Sequence, residues 1–247
     1  MKLYYVTAAA AIALWIFPPK MVAEETSLKL LLADPKGRSS IIETTTDENR
    51  DSRVTDITGF LTAALATQSD PREMVRGALI VLADIANTSS PLSIIQSYVD
   101  HPILDSDIRS AALVSLGQIT HRISGPQAVN QLMQPYLHQH DALISRQARL
   151  QVASTNTEAA AALLQSLLDS HIAALPAQGF VVTEQNGDEI EARFGAVIMD
   201  VEAMNSMELP EVKAKAQQTL TSLRDKYPSG PALEAISELE AVLATPQ

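Results

Sequence analysis

Apolar residues recur at helical spacing along most of this chain from residue 54 onward. In the first stripe the apolar positions follow one another at intervals of three and four, which places their side chains on one face of an α-helix. This stripe consists of Ile57, Phe60, Leu61, Ala64 and Leu65. Comparable stripes follow at residues 75–86, 92–99, 108–119, 128–137 and 148–153. The pattern predicts a series of amphipathic α-helices.

Turn residues divide these stripes into three helix pairs of one design. Asn87 to Ser90, before Pro91, and Gly125-Pro126 separate one pair from the next, whereas Ser69-Asp70-Pro71 and His101-Pro102 separate the two helices of a pair. At Asp70-Pro71 the aspartate suits the cap of a helix and the proline suits its first turn, so this break both ends one helix and begins another. Three consecutive units are enough to stack into a continuous core.

The second helix of each pair opens with a similar motif, an acidic turn followed by an arginine and an alanine. The arginines Arg76, Arg109 and Arg146 lie 33 and 37 residues apart, a period typical of stacked helix pairs. In the third copy a serine stands where the first two have Val75 and Ile108. The three copies are Asp70, Pro71, Val75, Arg76 and Ala78; Asp105, Ile108, Arg109 and Ala111; and Asp141, Ser145, Arg146 and Ala148.

In this motif the sequence resembles the HEAT-type α-solenoid repeats, whose second helix often opens with an Asp-Pro-x-x-Val-Arg-x-x-Ala-like pattern. The resemblance covers about residues 54–155 and extends more weakly to residue 245, through Pro210-Glu211-Val212-Lys213 and a helix predicted over 231–243. It implies an all-α fold, a right-handed α-α superhelix of antiparallel helix pairs. Such repeats serve many roles, so the resemblance indicates an architecture and not an activity.

The three motif arginines have two interpretations. They could line a groove and bind the carboxylates of a partner, because a guanidinium donates paired hydrogen bonds to a carboxylate. They could instead bind the aspartate or the helix-end carbonyls of their own or the neighbouring turn and hold the stack together. Repetition at one structural position favours the second interpretation.

The composition agrees with a helical fold and restricts the partners. Hydrophobic residues make up 46% of the chain but aromatic residues only 4%, which suits close packing of helices by small and medium side chains. The formal net charge of −11 disfavours nucleic acid and anionic lipid surfaces, and leaves a protein, a peptide or a cationic ligand. Solubility alone is a competing explanation of the charge. The absence of cysteine excludes disulfides, thiolate metal sites and cysteine nucleophiles.

The first 23 residues are predicted to be a signal peptide. The uncharged run from Leu3 to Phe17 is shorter than the ~20 residues that span a bilayer, and suits the apolar region of a secretory signal. Cleavage is expected after Ala23, although Met21 fits the cleavage pattern poorly, so an uncleaved membrane anchor stays open. A cysteine-free exported protein fits a bacterial envelope, and we expect a periplasmic or secreted location.

The remainder divides into a linker and a repeat domain. Residues 24–53 are predicted to be a largely irregular linker because they are mostly polar, and 54–247 the HEAT-like domain. An irregular insert near 177–188 interrupts the repeats. It contains the β-prone run 180–183, for which we expect a loop with at most a short strand, before a helix that carries Phe194.

Chemical motifs are absent from the sequence. It has no glycine-rich phosphate loop, no His-Glu-x-x-His and no Gly-x-Ser-x-Gly nucleophile motif. His138, His140 and Asp141 form the densest group of potential metal ligands, but they fall at an expected inter-helix turn, where polar residues are ordinary. We therefore predict no catalytic, cofactor-binding or metal residues and no cofactor.

The function that these patterns favour is an exported module that binds a protein or peptide in the cell envelope, or serves there as a scaffold, without a catalytic centre. A hydrolase or other enzyme with its site at the 177–188 insert is one alternative, because loops on helical scaffolds often carry function. A structural spacer held in the membrane by an uncleaved leader is another. The oligomeric state does not follow from the sequence.

Overall fold

The computed structural model describes residues 27–67, 71–177, 180–181, 183, 185–228 and 237. These residues form α-helices joined by turns, with no β-strand among them. The predicted all-α class is therefore confirmed for the described chain. The predicted signal peptide, the motif residue Asp70 and, apart from residue 237, the predicted helix 231–243 lie outside the described residues.

Ten α-helices with defined bounds follow one another along the described chain. They are α1 (Pro35–Glu43), α2 (Arg50–Thr67), α3 (Arg72–Ile85), α4 (Leu92–Asp100), α5 (Ser106–Ser124), α6 (Pro126–Met133), α7 (Ala142–Ser154), α8 (Glu158–Ala173), α9 (Gly187–Ser206) and α10 (Pro210–Lys226). A short 3₁₀ helix, Gln134–Tyr136, follows α6, and residues 27–33 are also helical.

The odd-numbered helices pack against one another in chain order. Helix α3 contacts α1 and α5, α5 contacts α7, and α7 contacts α9, so that these five helices form one continuous layer, which we call the spine. The even-numbered helices pack on this layer: α2 on α3, α4 on α5, α6 between α5 and α7, α8 on α9, and α10 on α9. A single apolar core runs between them from Leu32 to Tyr227.

The apolar stripes read from the sequence form this core. Leu61 of α2, Leu79 of α3, Ile95 of α4 and Ile119 of α5 are fully buried, each at a predicted stripe position. The helices form because each stripe covers its neighbour and removes apolar surface from water, a term of about 25 cal/mol per Å² of apolar area buried. None of the described helices is both long and apolar enough to cross a membrane.

The prediction of a largely irregular linker over residues 24–53 is wrong for its described residues. Residues 27–33 and α1 are helical, and α2 already begins at Arg50. The Asp34 carboxylate caps α1 by accepting a hydrogen bond from the Gly37 amide at 2.8 Å, with Pro35 in the first turn. Leu32 and Ile41 are buried in the core. These buried residues and the cap help to order a mostly polar segment.

Arginines bind the carbonyls at the C-terminal ends of several helices. In each case the arginine lies on the following helix and donates to a carbonyl at or near the end of the helix before it. The last carbonyls of a helix lack intrahelical donors, so these hydrogen bonds satisfy groups that would otherwise need water. The contacts run from Arg38 to Leu32 and Ala33, from Arg53 to Ile41, from Arg109 to Val99, from Arg149 to Leu137, and from Arg193 to Ala174, at 2.6 to 3.3 Å.

The three motif arginines have different partners. Arg109 does what the stacking interpretation expects, since it binds the Val99 carbonyl at 2.9 Å and Asp141 of the next turn at 3.1 Å. Arg76 is exposed and makes no hydrogen bond or ion pair within the described chain, whereas Arg72, one turn earlier, pairs with Asp105. The expectation is therefore wrong for Arg76, whose role Arg72 takes.

Arg146, the third motif arginine, pairs with a side chain in the body of a helix and not with one in a turn. Arg146 donates through Nε and Nη2 to both carboxylate oxygens of Glu202 on α9. This contact raises the pKa of Arg146, and desolvation opposes the increase only in part. Arg146 therefore joins α7 to the next helix of the spine, which agrees with a stacking role. Its partner, Glu202, is however a side chain in the body of a helix, whereas the stacking interpretation expects a turn aspartate or a helix-end carbonyl.

The described residues of the insert lack regular structure as far as Asn186, and its last two residues belong to α9. Residues 180, 181 and 183 have no regular structure, and α9 begins at Gly187. The Phe180 ring packs on Phe194 and Tyr227, with centroids 6.0 and 5.9 Å apart. The Tyr227 hydroxyl donates to the Pro176 carbonyl at 2.6 Å. These contacts tie the loop to α9 and to the end of α10.

Adding a methyl group at Gly77 should separate the first helical residues from the spine. A Cβ at this position would collide with the backbone carbonyl oxygen of Leu32, while a Cβ at Gly59 of α2 would meet nothing within 4 Å. We expect Gly77→Ala to lower the free energy of unfolding by about 1–3 kcal/mol, since overpacking forces backbone shifts. Gly59→Ala should instead raise it by up to about 1 kcal/mol. Urea denaturation of both variants checks this, and equal effects would contradict the packing.

Truncation of two motif arginines should give unequal losses of stability. Arg109→Ala leaves the Val99 carbonyl without its side-chain donor and removes the ion pair with Asp141, so we expect the free energy of unfolding to fall by about 1–3 kcal/mol. Arg76→Ala removes an exposed side chain and should change it by less than about 0.5 kcal/mol. Urea denaturation measures both values, and similar losses would show that Arg109 has no special structural role.

Candidate functional site

A buried ion pair joins α7 to α9. Arg149 is 1% exposed and Asp200 is fully buried, and Arg149 Nε lies 2.6 Å from Asp200 Oδ1. Both residues sit within apolar stripes, Arg149 next to Ala148 and Asp200 next to Val201. A buried charge is tolerated only when it is paired and hydrogen-bonded, so each of these side chains requires the other.

The remaining donors of Arg149 bind the turn before α7. Its Nη1 donates to the carbonyls of Leu137 and Ser145, at 2.8 and 3.0 Å, and to the Ser145 hydroxyl oxygen. The Ser145 hydroxyl in turn donates to the Leu137 carbonyl at 2.8 Å. Serine at this position of the third motif therefore belongs to a hydrogen-bond network, which the valine and isoleucine of the first two copies could not enter.

The second oxygen of Asp200 binds a histidine on α8. His171 Nδ1 lies 2.5 Å from Asp200 Oδ2. Because the carboxylate accepts the Nδ1 hydrogen, the remaining ring nitrogen, Nε2, carries the lone pair in the neutral imidazole. The His171 side chain is 21% exposed, and therefore lies where the buried network reaches the surface.

A second histidine lies against His171. The ring of His138, an exposed residue of the turn before α7, contacts the His171 ring edge to face, with centroids 6.4 Å apart and planes at 62°. We call Arg149, Asp200, His171 and His138 the junction cluster. It lies where α7, α8, α9 and the turn 137–141 meet, and it continues from a fully buried guanidinium to an exposed imidazole.

The residues singled out as potential ligands from the sequence do not form one site. His138, His140 and Asp141 lie in the turn between the 3₁₀ helix and α7, as the turn interpretation expects. The Asp141 carboxylate is occupied elsewhere, because it caps α7 through the amides of Leu143 and Ile144 and accepts from Ser106 at 2.6 Å. Across the described residues, no three His, Asp or Glu side chains are arranged to hold a metal ion.

The charge environment of Asp141 favours its ionised form. Burial alone would raise the pKa of Asp141, but the hydrogen bonds from Ser106 and the Ile144 amide and the charge of Arg109 together lower it below its usual value. The carboxylate therefore stays ionised in the folded protein. Its stabilising effect is present above the unfolded-state pKa of aspartate, about 3.9, and is lost on acidification through the lower folded-state pKa.

A second polar cluster joins α4 to the 3₁₀ helix. The Tyr136 hydroxyl donates to Asp100 Oδ1 at 2.8 Å, and Gln96 donates to Asp100 Oδ2 at 2.7 Å and to the Tyr136 hydroxyl oxygen. Burial and the hydrogen bond to Asp100 raise the pKa of Tyr136 to about 12. The phenol therefore stays protonated at neutral pH, and this cluster is a structural link.

Sequence reasoning missed three members of the junction cluster, Arg149, Asp200 and His171. The signal that could have found two of them is a charge inside an apolar stripe, once in α7 and once, with the opposite sign, in α9. Charges at such positions are buried when the helices pack, so they must have partners. His171 carries no comparable signal, because it lies in the last turn of α8, where histidine is common.

Two surface clefts of the described chain lie away from this cluster. One, of about 370 Å³, is lined by Pro35, Lys36, Ser39, Ser40 and Glu43 of α1. Another, of about 480 Å³, is lined by Asp84 of α3 and by Gln118, His121 and Arg122 of α5. Arg122 donates to the carbonyls of Ala83 and Ala86, so its guanidinium is already bound to the protein. Neither cleft has a residue in common with the junction cluster.

Comparison with known proteins gives this chain no relative. No family model, no curated protein and no solved structure matches it. We therefore interpret the junction cluster from its geometry. It contains a buried ion pair that holds α7 against α9, and an imidazole whose orientation that ion pair determines.

Removal of the buried arginine should destabilise the protein far more than removal of its exposed neighbour. We expect Arg149→Met to lower the free energy of unfolding by about 3–5 kcal/mol, because the buried Asp200 carboxylate loses its guanidinium partner and keeps only the hydrogen bond to His171. Arg146→Ala, on the same helix but 44% exposed in its side chain, should cost less than about 1 kcal/mol. Urea denaturation measures both.

A double variant separates the lost charge partner from lost packing. Arg149→Met combined with Asp200→Leu removes both charges, so at least half of the loss caused by Arg149→Met alone should be recovered. If the double variant instead loses as much free energy of unfolding as the two single variants lose together, or more, the loss of the charge partner is not the cause.

Proposed function

We propose that this chain is an exported interaction module of the cell envelope, a HEAT-like α-solenoid that binds a protein or peptide and has no catalytic centre. In this proposal the helix pairs are antiparallel and the array is a right-handed α-α superhelix. The location is the periplasm or the extracellular side of a bacterial envelope.

The chain-order spine is the observation that supports the proposal most directly. Each spine helix packs on the spine helix before it and the one after it, and its partner of the second layer joins it locally. Arrays in which each repeat contacts only its neighbours present long surfaces with many exposed positions, and proteins use such surfaces to bind other proteins. The acidic net charge of −11 favours a partner with a basic surface.

The spine offers a surface suited to such a partner. On α3 the exposed positions recur every four residues, at Arg76, Ile80 and Asp84, and form one stripe on the helix. Asp84 of α3 and Gln118 of α5 line one cleft, so exposed residues of the two helices share a surface. We call this surface, from Arg76 to Gln118, the spine face. It combines charged, polar and apolar groups, as the surfaces of transient complexes do.

Export rests on the leader, residues 1–23, and its proposed cleavage after Ala23. An uncleaved leader that anchors the array as a spacer is the alternative. Mass spectrometry of the N-terminal peptide of the native protein distinguishes them, since Glu24 as the first residue indicates cleavage and Met1 or Lys2 indicates an anchor.

An enzyme with its site at the 177–188 insert gains no supporting observation from the described residues. Among the described residues of the insert, Asp188 has the one ionisable side chain. Phe180 fixes the loop by apolar contact. We therefore place the proposed function on the spine face and not on the insert.

Site-specific cross-linking tests this proposal, because a cysteine introduced into the cysteine-free chain gives one label site per molecule. We expect Gln118→Cys, labelled with a photo-reactive group on the spine face, to give a discrete covalent product with an envelope protein in cells. Thr62→Cys, exposed on α2 in the other layer, should give none. Denaturing electrophoresis and mass spectrometry of the product identify the partner.

The two positions are matched, since both are exposed, polar and in the middle of a helix. The same product from both labels, or no product from Gln118→Cys in a cell that exports the protein, would refute binding at the spine face. Competition by excess unlabelled protein should abolish a specific product.

A further inference from the structure

We propose that His138 and His171 bind one borderline transition-metal ion, such as Zn²⁺, Ni²⁺ or Cu²⁺, at the surface of the junction cluster. Asp200 would be the outer-shell group that orients His171. This site is independent of the interaction function proposed above, because it lies at the joint of α7, α8 and α9 and not on the spine face.

The orientation of His171 is the first reason. A metal-binding histidine usually donates its other ring N–H to a carboxylate, which fixes the tautomer and makes the ring a better ligand. His171 Nδ1 has such a carboxylate at 2.5 Å, Asp200 Oδ2. Asp200 is itself held by Arg149, so the imidazole is oriented by a buried, rigid network. The free nitrogen of His171 is Nε2, and the side chain is partly exposed.

The position of His138 is the second reason. Two imidazoles whose nitrogens bind one ion at about 2.0–2.1 Å have ring centroids about 5 Å apart at a tetrahedral angle and roughly 6.5 Å apart at a linear one. The rings of His138 and His171 are 6.4 Å apart and pack edge to face, so the His138 ring must turn and move about 1 Å closer before both nitrogens point at one tetrahedrally bound ion. His138 is exposed in a turn, so its side-chain torsions can change without disturbing the core. One ligand is thus fixed and the other adjustable.

The donor set selects the class of ion. Imidazole nitrogen suits Zn²⁺, Cu²⁺ and Ni²⁺, whereas Mg²⁺ and Ca²⁺ require oxygen ligands. No third His, Asp or Glu of the described chain joins these two rings, so water would fill the remaining positions. The Arg149 charge, which would repel a cation, is neutralised by Asp200. The site is therefore open to solvent and exchangeable.

Calorimetric titration of the purified full-length protein with NiCl₂ or ZnCl₂ tests the proposal. We expect one ion per chain, and at least a tenfold weaker affinity in each of His138→Ala and His171→Ala. His121→Ala is the matched control, because His121 is also an exposed histidine in the last turn of a helix but lies away from the cluster on α5. Its affinity should equal that of the unmodified protein.

The outer-shell role of Asp200 has its own readout. Asp200→Asn should weaken binding roughly 10- to 100-fold while leaving both imidazoles in place. Because this variant also disturbs a buried ion pair, circular dichroism must show that it is folded. Electron paramagnetic resonance of Cu²⁺ bound to the unmodified protein needs no variant, and should show coupling to two imidazole nitrogens.

Three results would overturn the proposal. The first is no binding of any of the three ions to the unmodified protein. The second is unchanged affinity in His138→Ala or in His171→Ala. The third is loss of binding in His140→Ala together with retention in His138→Ala, which would assign the ion to a different histidine of the turn.

Discussion

The carbonyl groups at the C-terminal end of each helix impose the constraint on which this fold depends. They lack intrahelical donors, and here they lie where one helix must turn into the next and pack on its neighbours. Arginines on the following helix satisfy such carbonyls at several junctions, from Arg38 at the start of the described chain to Arg193 near its end, and Arg122 of α5 satisfies those of α3. A guanidinium has several donors and a long reach, so one side chain can bind a carbonyl and still pair with an acid of the next unit, as Arg109 does. Turn formation and stacking are thereby coupled.

The third unit uses the same chemistry in a different arrangement. The first two links between units run from an arginine to an aspartate in the next turn, Arg72 to Asp105 and Arg109 to Asp141. Helix α7 instead pairs with acids in the body of α9, through Arg146 and Arg149. The acids that pair with α7 therefore come from the body of a helix and not from a turn. Serine at position 145 is part of this change, because it shares the Leu137 carbonyl with Arg149.

The sequence predicted those parts of the structure that local spacing determines. The stripe that contains Leu79 and the loop at Phe180 follow from apolar periodicity and from turn residues within a few positions. Helix α1 was missed because its polar residues outweigh Ile41, whose burial depends on a partner distant in sequence. The junction cluster was missed for the same reason on a larger scale, since Arg149 and Asp200 are 51 positions apart. Each charge, taken alone, interrupts an apolar stripe without an evident reason. The ion pair between the two side chains explains both positions.

The close contact between Gly77 and the backbone of Leu32 bears on how the molecule would be held if its leader stays attached. The contact docks the helical residues 27–33 onto α3. The apolar run of the leader ends at Phe17, and the nine residues 18–26 that follow it can span at most about 30 Å, even fully extended. A retained leader would therefore keep the first end of the spine within about 30 Å of the bilayer.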